Sequence, residues 1–132
     1  MSQENVEVVG QWLAGWNRDD WDTMERCFAA DCEAYAPKGW LERGPFKGWP
    51  SVRSQMEVLK DSWESERVEV DELHDLGERV LARWRWMTVG KRSGIEAETP
   101  VSALCTLREG KIIQVDYFLD EAEALEAAGL RE

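Results

Sequence analysis

The order of hydrophobic periods along this chain predicts an α+β fold: a strongly bent antiparallel sheet with helices on its concave side. Two observations point there. A helix, a second helix, one strand and a third helix, with apolar residues every three to four positions in the helices, give way near Ser65 to strands with an apolar residue at every second position. Two tryptophan pairs follow the same switch, Trp12 and Trp16 at helical i,i+4 spacing and Trp84 and Trp86 at strand i,i+2 spacing. Rings of that size turned toward one interior either pack a dense core or wall an aromatic cavity. At 132 residues, the chain is read as a single domain over 1–132.

The elements follow in order. Val6, Val9, Leu13 and Trp16 mark an amphipathic helix over 3–16, which Asn17-Arg18-Asp19-Asp20 interrupts. Asp20 is placed to cap a second helix from Trp21 to about Ala29, with Met24, Cys27 and Phe28 on its apolar face. Residues 32–36 predict a strand that stops at Pro37, and the stretch from Gly39 to Gly48 predicts a loop. Pro50 suits the first turn of a third helix, striped by Val52, Met56, Leu59 and Trp63 and ending near Ser65. Strands then centre on Val68 and Val70, on Val80 to Trp86, on Ala97 to Ala103, and on Ile112 to Leu119. Asp120 and Glu123 open a short last helix that Gly129-Leu130 closes.

Alternation within the strands also predicts their neighbours. Arg83 and Arg85 fall on one face, flanked by Glu69 and Asp71 from one strand and Glu96 and Glu98 from another, with apolar residues opposite. That acidic ladder accounts for both arginines.

Composition excludes several classes. A formal net charge of −11 repels phosphate backbones, so nucleic acid is not expected as a partner. No apolar run reaches the roughly 18 residues of a membrane span, and Met1 to Asn5 lack the basic start of a secretory signal, so a cytoplasmic protein is expected. Cys27, Cys32 and Cys105 lack metal-type spacing and read as buried, reduced thiols; a nucleophilic Cys32 or Cys105 would need His74, the lone histidine, as its base. No metal and no cofactor are expected.

The run Trp12-Leu13-Ala14-Gly15-Trp16-Asn17-Arg18-Asp19-Asp20-Trp21-Asp22, with Met24, Phe28-Ala29-Ala30-Asp31 and Pro37 after it, resembles the opening of the nuclear transport factor 2-like superfamily, nearest its SnoaL-like branch. Pro45-Phe46-Lys47-Gly48, Gly110-Lys111-Ile112-Ile113 and the segment from Tyr117 to Leu125 fit the same branch. The resemblance spans essentially the whole chain. It implies a cone-shaped barrel of a strongly bent antiparallel sheet, three helices over its concave face, a short C-terminal helix, and an interior cavity. It also implies a homodimer, formed through the outer sheet face. Among catalytic relatives are ketosteroid isomerase and polyketide cyclases. The isomerase's tyrosine, base and protonated aspartate fall here on Trp12, Ala36 and Ala103, and neither alanine can move a proton or donate a side-chain hydrogen bond.

The expected ligand is therefore a small hydrophobic, cyclic or aromatic molecule. Its expected wall comprises Trp12, Trp16, Met56, Trp63, Trp84, Trp86, Val101, Ala103, Val115 and Tyr117, with Trp40 from the loop as either a lid or a dimer contact and Gln55 and Thr99 to orient a polar end. Three polar residues are weaker catalytic candidates. His74 and Glu72 share parity with Val70, so a regular strand leans both inward, against the competing reading of a solvated hairpin flank. Asp116 alternates with Val115 and Tyr117 and should face away unless a bulge reverses it. The rival to a ligand-holding domain is an interaction or scaffold domain whose tryptophans fill its own core.

Overall fold

The computed structural model describes residues 2–40 and 43–130. Its elements are α1 (Ser2–Arg18), α2 (Trp21–Cys27), β1 (Phe28–Tyr35), β2 (Phe46–Lys47), α3 (Trp49–Asp61), β3 (Ser65–Asp75), β4 (Arg79–Val89), β5 (Glu96–Arg108), β6 (Lys111–Phe118) and α4 (Glu121–Ala127). Leu41 and Glu42, inside the expected loop, lie outside the described residues.

α1 and α2 form a tight hairpin. Gly15 permits it: a Cβ there would sit 3.1 Å from Met24 Cγ and 3.4 Å from the Asp20 carbonyl. Asp20 caps α2 by accepting from the Thr23 N–H at 3.1 Å and the Thr23 hydroxyl at 2.7 Å, and these bonds hold its carboxyl below its ordinary pKa. The helix ends two residues earlier than expected because Phe28 is already extended, and β1 begins there rather than at residue 32. Packing overrides the helical period at this point: Phe28 meets Trp12 edge-on at 5.4 Å and Trp49 at 5.2 Å.

The strands form one sheet in the order β2-β1-β6-β5-β4-β3, whose two ends do not pair, so it curls without closing. Two features correct the sequence reading. The sheet is mixed, because β1 and β6 run parallel while every other neighbouring pair is antiparallel. Only hairpin partners are obliged to be antiparallel, and β1 and β6 are far apart in sequence. The expected Gly39–Gly48 loop also holds β2, which pairs Lys47 with Glu33 and Phe46 with Ala34.

The charge ladder is present with altered partners. Arg85 reaches Glu69 at 3.2 Å, Asp71 at 3.1 Å and Glu98 at 3.6 Å, and these carboxylates raise its pKa. Arg83 instead pairs with Glu72 at 3.0 Å and with Glu121 of α4. Glu96 stands opposite Val89 at the far end of the β4–β5 pair, away from both arginines.

The altered partners trace to a bulge. Val70 lies opposite Trp84 and Glu72 opposite Arg83, leaving Asp71 as an extra residue in β3. Beyond it every side chain changes face. Leu73 joins the core, and Glu72 and His74 turn outward, with the His74 Nδ1 3.4 Å from a Glu72 oxygen. The regular strand that would have leaned them inward is not formed.

One core fills the concave side, drawing on α1, α2, α3 and five of the strands. A small second core of Leu81, Leu104, Ala124 and Ala128 seats α4 on the convex side. Among the described residues no helix is long and apolar enough to cross a membrane.

Candidate functional site

The inward face of β4 begins with the small residues Val80 and Ala82 and ends with Trp84 and Trp86. Small side chains let the sheet pack close to the helices at one end, and the indoles line a hollow at the other. α1 lies across that hollow with Trp12 and Leu13 one turn before Trp16 on its inner face, and α3 adds Gln55 and Leu59. The result is a cavity of about 230 Å³, walled also by Val68, Thr99, Val101 and Tyr117 and bordered by Pro37, Trp40 and Leu119. Trp40 and Leu119 are 37% and 47% exposed, which places them where the hollow meets solvent.

The rings meet edge to face. Trp12 stands at 6.0 Å and 87° to Trp84 and at 6.5 Å to Tyr117, and Trp84 stands at 6.4 Å and 87° to Tyr117. Edge-to-face contact puts the positive rim of one ring on the negative face of the next.

Behind this wall lies a polar clamp that the sequence reading missed. One oxygen of Glu66 accepts the indole N–H of Trp16 at 2.7 Å and that of Trp86 at 2.8 Å. Its other oxygen accepts from Lys60 Nζ at 2.7 Å, and Lys60 also donates to the Trp16 carbonyl, pairs with Asp19 at 3.0 Å and sits 4.5 Å from the Trp16 ring centre. The side chains of Glu66 and Lys60 are each 8% exposed. Four elements, α1, α3, β3 and β4, are thus pinned at one corner of the cavity. Beside the clamp, the Asn17 amide donates to the Val68 carbonyl and accepts the Val68 N–H, both at 2.8 Å, which ties the end of α1 to β3.

Of the residues expected to touch a ligand, Trp12, Trp16, Trp40, Gln55, Thr99, Val101, Tyr117, Trp84 and Trp86 border the cavity. Four do not. Met56, Ala103 and Val115 are wholly buried in the core on the concave side and do not reach the hollow. Trp63 follows the end of α3 and packs edge-on against Trp86 at 5.7 Å, outside the hollow. Leu13, Pro37, Leu59, Val68 and Leu119 complete the border. Of these, Val68, Leu13 and Leu59 lie on the apolar stripes already visible in the sequence.

The polar candidates lie elsewhere. Glu72 and His74 are on the convex face, and Asp116, opposite Leu104 and hydrogen-bonded to Gln114 at 2.9 Å, faces that side too. The only bulge in the β5–β6 pair falls before residue 114 and leaves Asp116 in its regular phase. Among the described residues, none that borders the cavity is a carboxylate, a histidine or a lysine. Burial pushes the Tyr117 phenol upward, so it keeps its proton at neutral pH. Burial likewise raises the Cys27 and Cys32 thiols to about 11 and lifts Cys105, which makes all three poor nucleophiles. Among the described residues no group of three or more His, Cys, Asp or Glu is arranged to hold a metal. The hollow can exclude water, stack a ring, donate a hydrogen bond from indole and accept one at an amide.

Known structures share this architecture. A putative SnoaL-like polyketide cyclase from Jannaschia sp. CCS1 is similar with a TM-score of 0.80 at 19% identity, over 98% of this chain and 94% of that one. TerC, co-crystallised with polyporic acid, gives 0.79 at 19% identity over 96% and 98%. A protein with a ketosteroid isomerase-like fold from Catenulispora acidiphila, in complex with trimethylamine, gives 0.74 at 18% identity over 95% and 94%. At these identities the likeness is one of fold. Comparison with curated protein sequences finds no match. The SnoaL-like domain profile matches residues 9–115, from the buried Val9 of α1 to the buried Val115 of β6, and the chain belongs to that family.

Proposed function

We propose that this domain binds a small hydrophobic molecule with one or two rings in the cavity between α1, α3 and the sheet. The single observation that carries the reading is the void of about 230 Å³ left among Trp12, Trp16, Trp84 and Trp86. An apolar cavity of roughly 150 Å³ already accepts benzene, so this one suits a fused pair of rings and is small for a steroid. Flat indole walls favour a flat guest. The fold neighbour TerC, crystallised with polyporic acid, supports the same direction. A scaffold domain with a self-filled core would pack these rings solid, and the hollow argues against it.

Catalysis is not part of the proposal, because the described residues of the cavity border offer hydrogen bonds but no group that exchanges protons at neutral pH. The test is a titration with benzene, naphthalene, indole and a steroid, read by tryptophan emission and thermal unfolding. Two-ring compounds should quench the emission and raise Tm by several degrees at a hundredfold excess over Kd, equivalent to about 2.7 kcal/mol. Unchanged emission and Tm across the series would remove the reading.

The expected homodimer through the outer sheet face is kept as part of this proposal. Arg85 and its three carboxylates give that face a mixed-sign surface that a twofold-related copy can complement. Sedimentation equilibrium at micromolar concentration should return twice the 15.2 kDa chain mass, and a monomer would refute it.

A further inference from the structure

The hollow and a polar depression on the surface share one thin wall. Trp16 of α1 and Trp86 of β4 border the hollow, and neither borders the depression. Asp19, Lys60, Trp63 and Glu66 border the depression, and none of them borders the hollow. Between the two spaces stand the two indoles and the Glu66 oxygen that takes both their N–H groups, at 2.7 and 2.8 Å. Trp63 backs Trp86 edge-on at 5.7 Å, and Lys60 Nζ covers Trp16 at 4.5 Å from its ring centre. An oxygen shared in this way keeps the two nitrogens within two hydrogen-bond lengths of each other, so α1 and β4 cannot part at this corner while it holds.

The fold does not provide for every indole. Trp12 and Trp63 bury their N–H groups without a partner, whereas a carboxylate that is costly to bury stands where it serves Trp16 and Trp86 together. Apolar side chains would close the same corner with no ion to desolvate. A buried carboxylate there is accounted for by what it fixes in place.

We infer that Glu66 is the specificity-determining residue of the site: by holding Trp16 to Trp86 it ends the hollow short of the depression and limits the guest to the length of two fused rings. The inference rests on the cavity being a binding site and adds the residue that sets its reach. Glu66 touches no guest and acts through the two rings, as a positioning residue. Both indoles turn their N–H groups toward the carboxylate, and each has only one such donor, so the guest meets carbon alone at that end and is itself hydrocarbon there.

The test compares naphthalene with 2-phenylnaphthalene, which carries the same fused pair and one more ring beyond it, by equilibrium dialysis against the full chain. The unaltered chain should bind naphthalene at least about tenfold more tightly. Two double variants separate the acceptor from charge and size. Lys60→Met/Glu66→Gln keeps a carbonyl oxygen for the indoles, and Lys60→Met/Glu66→Leu fills a similar space without one. The first should keep the preference and the second should reduce it about fivefold or more, because the hydrogen bonds that close the wall are gone. A role in stability alone would shift the unfolding midpoints and leave the preference unchanged in both. In the unaltered chain, followed by NMR in D2O, the indole N–H protons of Trp16 and Trp86 should also exchange far more slowly than that of the exposed Trp40.

A preference that is the same in both double variants, whether kept or lost, would overturn the assignment to the Glu66 acceptor. Equal affinity of the unaltered chain for the two guests would overturn it as well, since the wall would then set no limit. So would exchange at Trp16 and Trp86 as fast as at Trp40, a result that requires no variant to fold. Each of these leaves the cavity reading intact, whereas failure of the unaltered chain to bind either compound would remove both.

Discussion

At Glu66 a single buried carboxylate holds two tryptophans from different elements and the ammonium of Lys60. Coulomb attraction inside a protein must first offset the loss of hydration of both ions, so such a pair stabilises little over two well-packed apolar residues. Removing one member is another matter, because the other is left buried alone. Glu66→Ala should therefore lower the unfolding free energy by about 3 kcal/mol or more, whereas the double variant Lys60→Met/Glu66→Leu should recover most of the loss. Urea unfolding monitored by circular dichroism measures both. A single substitution costing under about 1 kcal/mol, or a double as damaging as the single, would contradict the account. The clamp was hidden in the sequence because Glu64-Ser65-Glu66-Arg67 reads as a solvated strand start. Its signal was parity: Glu66 falls in phase with Val68, the inward side of β3, where a carboxylate needs partners.

In β3, one inserted residue decides which side chains face the core. With Asp71 extra, Leu73 rather than His74 packs inward, reaching to within 3.5 Å of where a Cβ on Gly10 of α1 would lie. His74→Ala should then change stability by no more than about 0.5 kcal/mol, while Leu73→Ala should cost about 2 kcal/mol. Thermal unfolding of the two variants checks this, and the reverse ranking would mean a regular strand. Periodicity exposed the helices, the three hairpin-linked strand pairs and the Trp12/Trp84 opposition, because each depends on local spacing and side-chain alternation. It was blind to the bulge, which leaves composition unchanged, and to β2 and the parallel β1–β6 pair, which depend on residues distant in sequence. For the same reason it found most of the cavity border but not that Met56, Ala103 and Val115 would lie in the core behind it.

Across the whole molecule, buried acidic protons tie stability to pH. Burial holds the Cys27 and Cys32 thiols protonated to about pH 11, against an ordinary value of 9.0, and shifts Cys105 and Tyr117 in the same direction. Between these limits the unfolded chain binds fewer protons than the native one, so the contribution is full below pH 9 and falls as pH rises toward 11. The slope is about 1.4 kcal/mol per pH unit for each thiol. Urea midpoints should decline steeply from pH 9 to pH 10.5, and less steeply in a variant with all three cysteines replaced by alanine; identical slopes would rule the thiols out. The open curl of the sheet has a different consequence. Its terminal strand β3 leaves a row of backbone groups with no strand beside them, the kind of row on which other chains assemble into fibrils. Asn17 occupies that row at Val68, and the extra Asp71 kinks it three residues later. A chain that uses its own amide to block templated growth is equipped to stay dispersed when crowded, without the protection that a closed barrel would provide.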